Sequence, residues 1–114
     1  MYSIDIQSPE FMKYLERGER EAFQQLFETY HKALCFFAAR IVRDHSEAED
    51  IVQDVFLSFW KMDRGGFPNV KTIKTFLYNS VQHRCLNYLR AAGIRKAAKP
   101  FAGLNKVTSS YFIG

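Results

Sequence analysis

Hydrophobic residues recur every three or four positions in three separate stretches of the chain, and this spacing is typical of amphipathic helices. The longest stretch predicts a central packing helix, whose apolar positions are Phe23, Leu26, Phe27, Tyr30, Ala33, Leu34, Phe37, Ala38 and Ile41. Phe36 lies outside this stripe. A single exposed aromatic residue ordinarily has no partner, and a contact with a partner is the alternative.

Two further helices are predicted around the central one. Ser8-Pro9-Glu10 marks the start of a short leading helix that runs to about Arg17, before Gly18. Downstream, Ser46 with Glu49 three residues later matches a capping box. This predicts a helix to about Met62, with an inner face of Ala48, Ile51, Val52, Val55, Phe56, Phe59 and Met62.

The stretch from Asn69 to Lys99 predicts the last helix, with Asn69 as its cap. Its apolar stripe contains Leu77, Val81, Cys85, Tyr88 and Ala92, and its opposite face contains Thr72, Phe76, Asn79, Ser80, His83, Asn87 and Arg90, with Arg84 at the edge. No periodicity follows Lys99. The pattern therefore predicts an all-α fold, a compact bundle of three main helices plus a short N-terminal helix, with one domain over residues 8–99 and a tail over 100–114.

The charge of the chain is divided sharply along its length. Up to Asp63 there are twelve acidic and seven basic residues, a net charge of −5, whereas from Arg64 onward nine basic and no acidic residues give +9. A basic second half with interleaved aromatic and amide residues suits a polyanion such as nucleic acid. A solvated basic helix balanced by an acidic neighbour in the same fold is the alternative.

Enzyme chemistry has no recognisable basis in this sequence. No nucleophile with a base, carboxylate pair in a cleft, phosphate loop or metal cluster occurs at usable spacing, so we expect a non-enzymatic binding module without cofactor or metal. Cys35 and Cys85 lie in helical patterns, which favours two buried thiols in a reducing compartment. Because no signal peptide or apolar stretch of membrane-spanning length is present, we expect a cytoplasmic protein.

The predicted third helix carries a leucine among carboxylates on its outward side. Asp50, Asp54, Leu57 and Lys61 line that side, with Gln53 and Trp60 at its border. Such a face suits a basic protein partner, and a solvated face with one stray leucine is the alternative.

Three segments together resemble region 2 of bacterial sigma factors of the extracytoplasmic-function (ECF) group. They are AFQQLFETY at 22–30, SEAEDIVQDVFLSFWK at 46–61 and TFLYNSVQHRCLNYLR at 75–90. The resemblance covers roughly residues 10–97. It implies that the domain binds core RNA polymerase at the β′ clamp helices and promoter DNA at the −10 element, with an anti-sigma factor as a further partner.

The resemblance also assigns residues to these roles. Polymerase binding maps onto Asp50, Gln53, Asp54, Leu57 and Trp60. Contact with the non-template strand maps onto Phe67, Lys74, Phe76, Asn79, Ser80, His83, Arg84, Asn87, Arg90, Arg95 and Lys96. Among these, the aromatic rings would stack on bases, Asn79, His83 and Asn87 would meet base edges, and the cations would meet phosphates. The loop from Arg64 to Pro68 corresponds to the family's specificity loop, where Phe67 either stacks on a flipped base or folds back onto the core.

The sequence departs from the family in two respects. His83 stands where many relatives carry asparagine, and nothing here resembles the second helix-turn-helix domain, region 4, that binds the −35 element. A basic helical DNA-binding or protein-interaction module that never associates with polymerase is the alternative function.

Overall fold

Four α-helices make up the part of the chain described by the computed structural model, residues 5–62 and 64–93. They are α1 (Pro9–Glu16), α2 (Arg20–Val42), α3 (His45–Lys61) and α4 (Val70–Ala91), with a short 3-10 turn over Arg64–Gly66 between the last two. The predicted all-α class and the order of one short and three long helices are confirmed. The predicted tail, 100–114, lies outside the described residues.

A residue with a positive φ lies near each end of α2. Gly18 adopts a positive φ of 80° just before the helix, where a glycine avoids the steric penalty of a side chain. At the other end the C-cap residue is Arg43, with φ 60° and ψ 36°, and its N–H donates to the Ala39 carbonyl at 2.8 Å. Arginine in this left-handed conformation is uncommon, because its Cβ crowds the following carbonyl.

The start of α3 differs from the prediction. Asp44, not Ser46, is the N-cap residue, and its Oδ1 accepts a hydrogen bond from the Glu47 N–H at 3.1 Å. Both residues have a glutamate three positions later, so both match the capping-box spacing. The extended backbone of Asp44 decides between them, since the cap residue must have a non-helical conformation.

The start of α4 follows the prediction, whereas its end does not. Asn69 Oδ1 accepts from the Thr72 N–H at 2.9 Å and also from the Thr72 hydroxyl, which confirms Asn69 as the cap. The helix ends at Ala91, and Gly93 follows with φ 75°. A left-handed glycine just past a helix is a common termination signal. The prediction that this one helix continues to Lys99 is therefore wrong.

The core lies between α2, α3 and α4, with α1 packed against α2 and the 3-10 turn. Its largest fully buried side chains are Phe11, Leu15, Leu26, Leu34, Ile41, Val52, Val55, Phe56, Phe59, Ile73, Leu77 and Val81. Every residue of the predicted inner face of α3 is buried except Met62, which follows the last helical turn and is 36% exposed. Ala33 and Ala92, also predicted inside, are exposed.

Both cysteines are free thiols, but only Cys85 is fully buried; Cys35 is half-buried. Burial raises the pKa of the Cys85 thiol to about 12, and its Sγ lies 4.0 Å from the Ala38 carbonyl. Burial, followed by the nearby Glu49 carboxylate, raises the pKa of Cys35. In the described residues no helix is long and apolar enough to cross a membrane, and no group of three potential ligands is placed to hold a metal ion.

Candidate functional site

The outward side of α3 forms an acidic face, which we define as Asp50, Gln53, Asp54 and Leu57. All four residues are exposed. Leu57 retains 50% exposure, so half of an apolar side chain stands in water among carboxylates one turn apart. The structure therefore brings together the residues predicted for polymerase binding in an accessible arrangement.

Trp60 borders the acidic face and is held by α2. Its ring lies 4.5 Å from the ring of Phe23, centroid to centroid, and Phe23 in turn meets Phe56 edge-on at 6.2 Å. Trp60 is half-buried as a result. The exposed part of Trp60 lies at the border of the acidic face, and aromatic side chains commonly anchor protein interfaces.

An aromatic cluster joins α3, the loop and α4. We define it as Phe59, Phe67 and Phe76, whose ring centroids lie 5.7 Å (Phe59 to Phe67), 6.2 Å (Phe59 to Phe76) and 5.4 Å (Phe67 to Phe76) apart. Phe59 is fully buried, while the other two are half-buried. Of the two predicted alternatives for Phe67, this conformation shows the ring packed back onto the core.

The helical wheel predicted that Phe76 lies free on the outer side of α4, but the structure shows it packed against other rings. Its half-buried ring meets Phe67 nearly edge-on, with an interplanar angle of 67°. Because Phe67 and Phe76 are both half-buried, each keeps part of its side chain exposed at the protein surface. Any base that stacks here would therefore contact a two-ring platform rather than a lone side chain.

The exposed face of α4 carries the polar and basic residues of the candidate DNA site. We define it as His83, Arg84, Asn87 and Arg90, all of which are exposed; Ser80 beside them is half-buried. Lys74 is also exposed, but it is nine residues before His83 and lies on the opposite side of the helix. No acidic residue occurs from Arg64 to the end of the chain, so nothing on α4 itself neutralises these cations. The face is thus suited to phosphate groups.

Hydrogen bonds fix two of these side chains. Arg90 Nη1 donates to Asn87 Oδ1 at 2.8 Å. This bond uses the amide oxygen of Asn87 and does not use its NH₂ group. Arg84 Nη2 donates to Ser58 Oγ at 3.0 Å, across 26 positions of sequence. The second bond ties the exposed face of α4 to α3 and holds the Arg84 guanidinium, leaving several of its five donors for other acceptors.

Asn79 is the predicted DNA-binding residue whose exposure the structure contradicts. It is only 8% exposed, and with buried Gln82 and half-buried Leu86 it forms a covered strip at helical spacing along α4. The wheel assumed a single buried side, whereas α4 is covered on more than one side. In this conformation little of the Asn79 side chain is open to a base, while His83 and Asn87 are exposed.

Sequence reasoning missed two residues near the site. Ser58 received no role, because its partner Arg84 lies on another helix. Gln82 was not assigned to either face, yet it is 4% exposed and its amide nitrogen has no hydrogen-bond partner. Its spacing from buried Cys85 and Leu89, at three and seven residues, was the available signal. Arg95 and Lys96 lie outside the described residues.

A family model described as Sigma-70 region 2 matches residues 26–94. The ECF RNA polymerase sigma factor SigM of Mycobacterium tuberculosis is 34% identical over 90 residues, which cover 79% of this chain and 43% of SigM. RNA polymerase sigma-H factor of Pseudomonas aeruginosa is 28% identical over 89 residues, covering 78% of this chain and 46% of that protein.

The ECF RNA polymerase sigma factor SigX of Bacillus subtilis is 30% identical over 70 residues, covering 61% of this chain and 36% of SigX. The chain thus spans less than half the length of the curated relatives that it matches. No solved structure matches it.

Proposed function

Because this chain belongs to the Sigma-70 region 2 family and is a region 2 domain of the ECF sigma-factor type, we propose that it acts in transcription initiation through two binding faces. The acidic face of α3 binds the β′ clamp helices of core RNA polymerase. The exposed face of α4, together with the aromatic cluster, binds the non-template strand of the −10 element. Such a domain acts in the cytoplasm, without catalysis of its own, and its polymerase-binding face is also open to an anti-sigma factor.

The observation that carries the polymerase assignment is the half-exposed Leu57 among exposed carboxylates. An isolated leucine in water contributes little to folding, but burying it against a partner removes its remaining apolar surface from water. Asp50 and Asp54, seven and three residues before Leu57 on the same face of α3, give basic partner residues a charge to pair with, which favours the correct encounter and orientation.

The proposed DNA interaction extends from the loop before α4 along the length of that helix. Phe67 and Phe76 offer ring surface for an unpaired base, His83 and Asn87 offer hydrogen-bonding groups for base edges, and the cations meet phosphates. The Ser58 hydrogen bond supports Arg84 in this role by reducing the freedom that the side chain loses on binding.

The polymerase assignment is tested with Asp54→Arg combined with Leu57→Ala. We expect this double variant to lose co-purification with core polymerase while its helical circular dichroism stays unchanged, because both residues are exposed. Glu28→Arg, a charge reversal at an exposed position of α2, is the control and should retain binding. Retained binding by the double variant would remove the α3 assignment.

The DNA assignment is tested by strand preference. In the presence of core polymerase, the chain should bind single-stranded non-template −10 sequence more tightly than the template strand. Phe76→Leu should weaken strand opening while preserving the apolar packing against Phe59. Equal binding of the two strands would contradict the proposal. Recovery of nucleic acid without β′ from a bacterial lysate would instead favour a DNA-binding module that does not associate with polymerase.

A further inference from the structure

The side of α2 that faces away from the bundle has no role in the function proposed above. Phe27 of α2 packs on Phe56 of α3 at 4.8 Å between ring centroids, and Phe37 packs on Tyr78 of α4 at 5.1 Å. Helical spacing places Lys32, Phe36, Arg40 and Arg43 together on the remaining side, which we name the back face of α2. Phe36 is 66% exposed there, more than Leu57 or Met62.

The back face is basic within the acidic half of the sequence. Its three cations are exposed, and within residues 5–62 and 64–93 none of them forms an ion pair. Lys32 and Arg40 lie one turn before and one turn after Phe36, so each is about 6 Å from it along the helix axis. A single ring is therefore flanked by positive charge on both sides along one line.

Folding requirements account for only part of this arrangement. Cations near the C-terminus of a helix interact favourably with its dipole, which explains Arg40 and Arg43. The dipole does not explain Lys32, which lies about three turns from the end of α2, or the exposed ring of Phe36. Arg43 moreover adopts φ 60°, a conformation that glycine would adopt with less strain.

We propose that the back face of α2 binds single-stranded nucleic acid. A single strand presents phosphates at intervals along its backbone and unpaired bases with open ring faces. One aromatic side chain is enough to stack a base, while neighbouring cations follow the backbone. The site lies on a different side of α2 from α3 and α4, so the chain has two nucleic-acid surfaces, the second independent of polymerase.

The composition of the face favours nucleic acid over an acidic protein. The centre of a protein interface is normally a group of apolar residues that become desolvated together. Around Phe36, the exposed residues one turn away are Lys32, Ala33 and Arg40, which supply no other large apolar side chain. A lone ring between cations fits stacking better than it fits a buried interface core.

The test uses the complete chain, titrated with a short deoxythymidine oligonucleotide and followed by fluorescence anisotropy at several salt concentrations. Phe36→Ala should raise Kd about tenfold, as expected for loss of one base–aromatic stack. Lys32→Gln with Arg40→Gln should reduce the slope of log K against log salt by about 1.4, since each phosphate contact on a single strand contributes about 0.7. Unchanged thermal unfolding would show that the variants remain folded.

The matched control is Lys13→Gln with Arg20→Gln, which removes the same charge from exposed positions outside the back face. It should leave Kd within about twofold of the parent value. Equal weakening by the two double variants would overturn the proposal, because binding would then depend on net charge alone.

Amide chemical shifts locate the bound strand. Shifts in α2 around Phe36 support the proposal, whereas shifts confined to α4 would assign all binding to the exposed face of α4 and overturn it. Binding of a glutamate-rich peptide as tight as that of the oligonucleotide, and equally sensitive to Phe36→Ala, would assign the face to an acidic protein instead.

Discussion

Substitution of Gln82 measures how much a buried polar group lowers the free energy of unfolding of this domain. The Gln82 side chain is 4% exposed and its amide nitrogen has no hydrogen-bond partner. A buried donor left without a partner costs about 1–3 kcal/mol relative to an apolar group of the same shape. Methionine has nearly the same length and volume, and it removes the donor without opening a cavity.

We therefore expect Gln82→Met to raise the free energy of unfolding by about 1–2 kcal/mol. In a domain of this size, each kcal/mol of added stability raises Tm by roughly 4–8 °C. Urea unfolding followed by circular dichroism gives the free energy, and the m value should not change, because the folded surface is the same.

The control for this substitution is Gln24→Met, on the exposed side of α2. Gln24 Nε2 donates to Glu28 Oε2 at 3.1 Å, an exposed contact that contributes little. This variant should stay within about 0.5 kcal/mol of the parent. A loss of more than about 1 kcal/mol in Gln82→Met would refute the reasoning, because it would mean that the amide makes favourable interactions in the folded state.

Three further predictions concern stability. The pKa of the Cys85 thiol is about 12 in the folded state, against 9.0 ordinarily, so the unfolded chain loses this proton at lower pH than the folded chain. The free energy of unfolding should therefore fall as pH rises above about 9. Urea titrations at successive pH values measure this dependence, and Cys85→Ala should flatten it. Asn69→Ala, which removes the cap to Thr72, should cost about 1 kcal/mol, whereas Asn87→Ala on the exposed face of α4 should cost less than about 0.5 kcal/mol in the same assay. Arg43→Gly should be neutral or stabilising by up to about 1 kcal/mol, since it relieves the left-handed backbone, and a clear loss by thermal unfolding would contradict this.

The inner face of α3 could be predicted from the sequence almost completely, because the repeat is regular and one side of the helix packs inward. The start of the same helix could not. Asp44 and Ser46 are both good capping residues with glutamates at the right spacing, and only backbone conformation separates them. Local patterns locate a helix more reliably than they locate its first residue.

The candidate site shows the same division. The exposure of Asp50, Asp54 and Leu57 follows from helical periodicity, and the structure confirms it. The burial of Asn79 does not follow, because a wheel describes one helix and contains no information about how many sides its neighbours cover.

Hydrophobic periodicity also does not predict which side chains make contacts between helices. The hydrogen bond from Arg84 to Ser58 joins two helices, and no sequence spacing predicts it. The packing of Phe67 between Phe59 and Phe76 also depends on the path of the loop, which local signals do not determine.

Three consecutive residues of α3 face three different surroundings, and this limits how the sequence can change in evolution. Leu57 points to solvent, Ser58 meets Arg84 of α4, and Phe59 is fully buried in the aromatic cluster. Each residue turns the helix by about 100°, so deleting or inserting one residue upstream would move every side chain into its neighbour's place. Substitutions can be accepted here one at a time, but a change in length would disrupt partner binding, the link to α4 and the core together. We therefore expect functional descendants of this chain to keep the length of α3 fixed and to vary in length only in loops or near the ends.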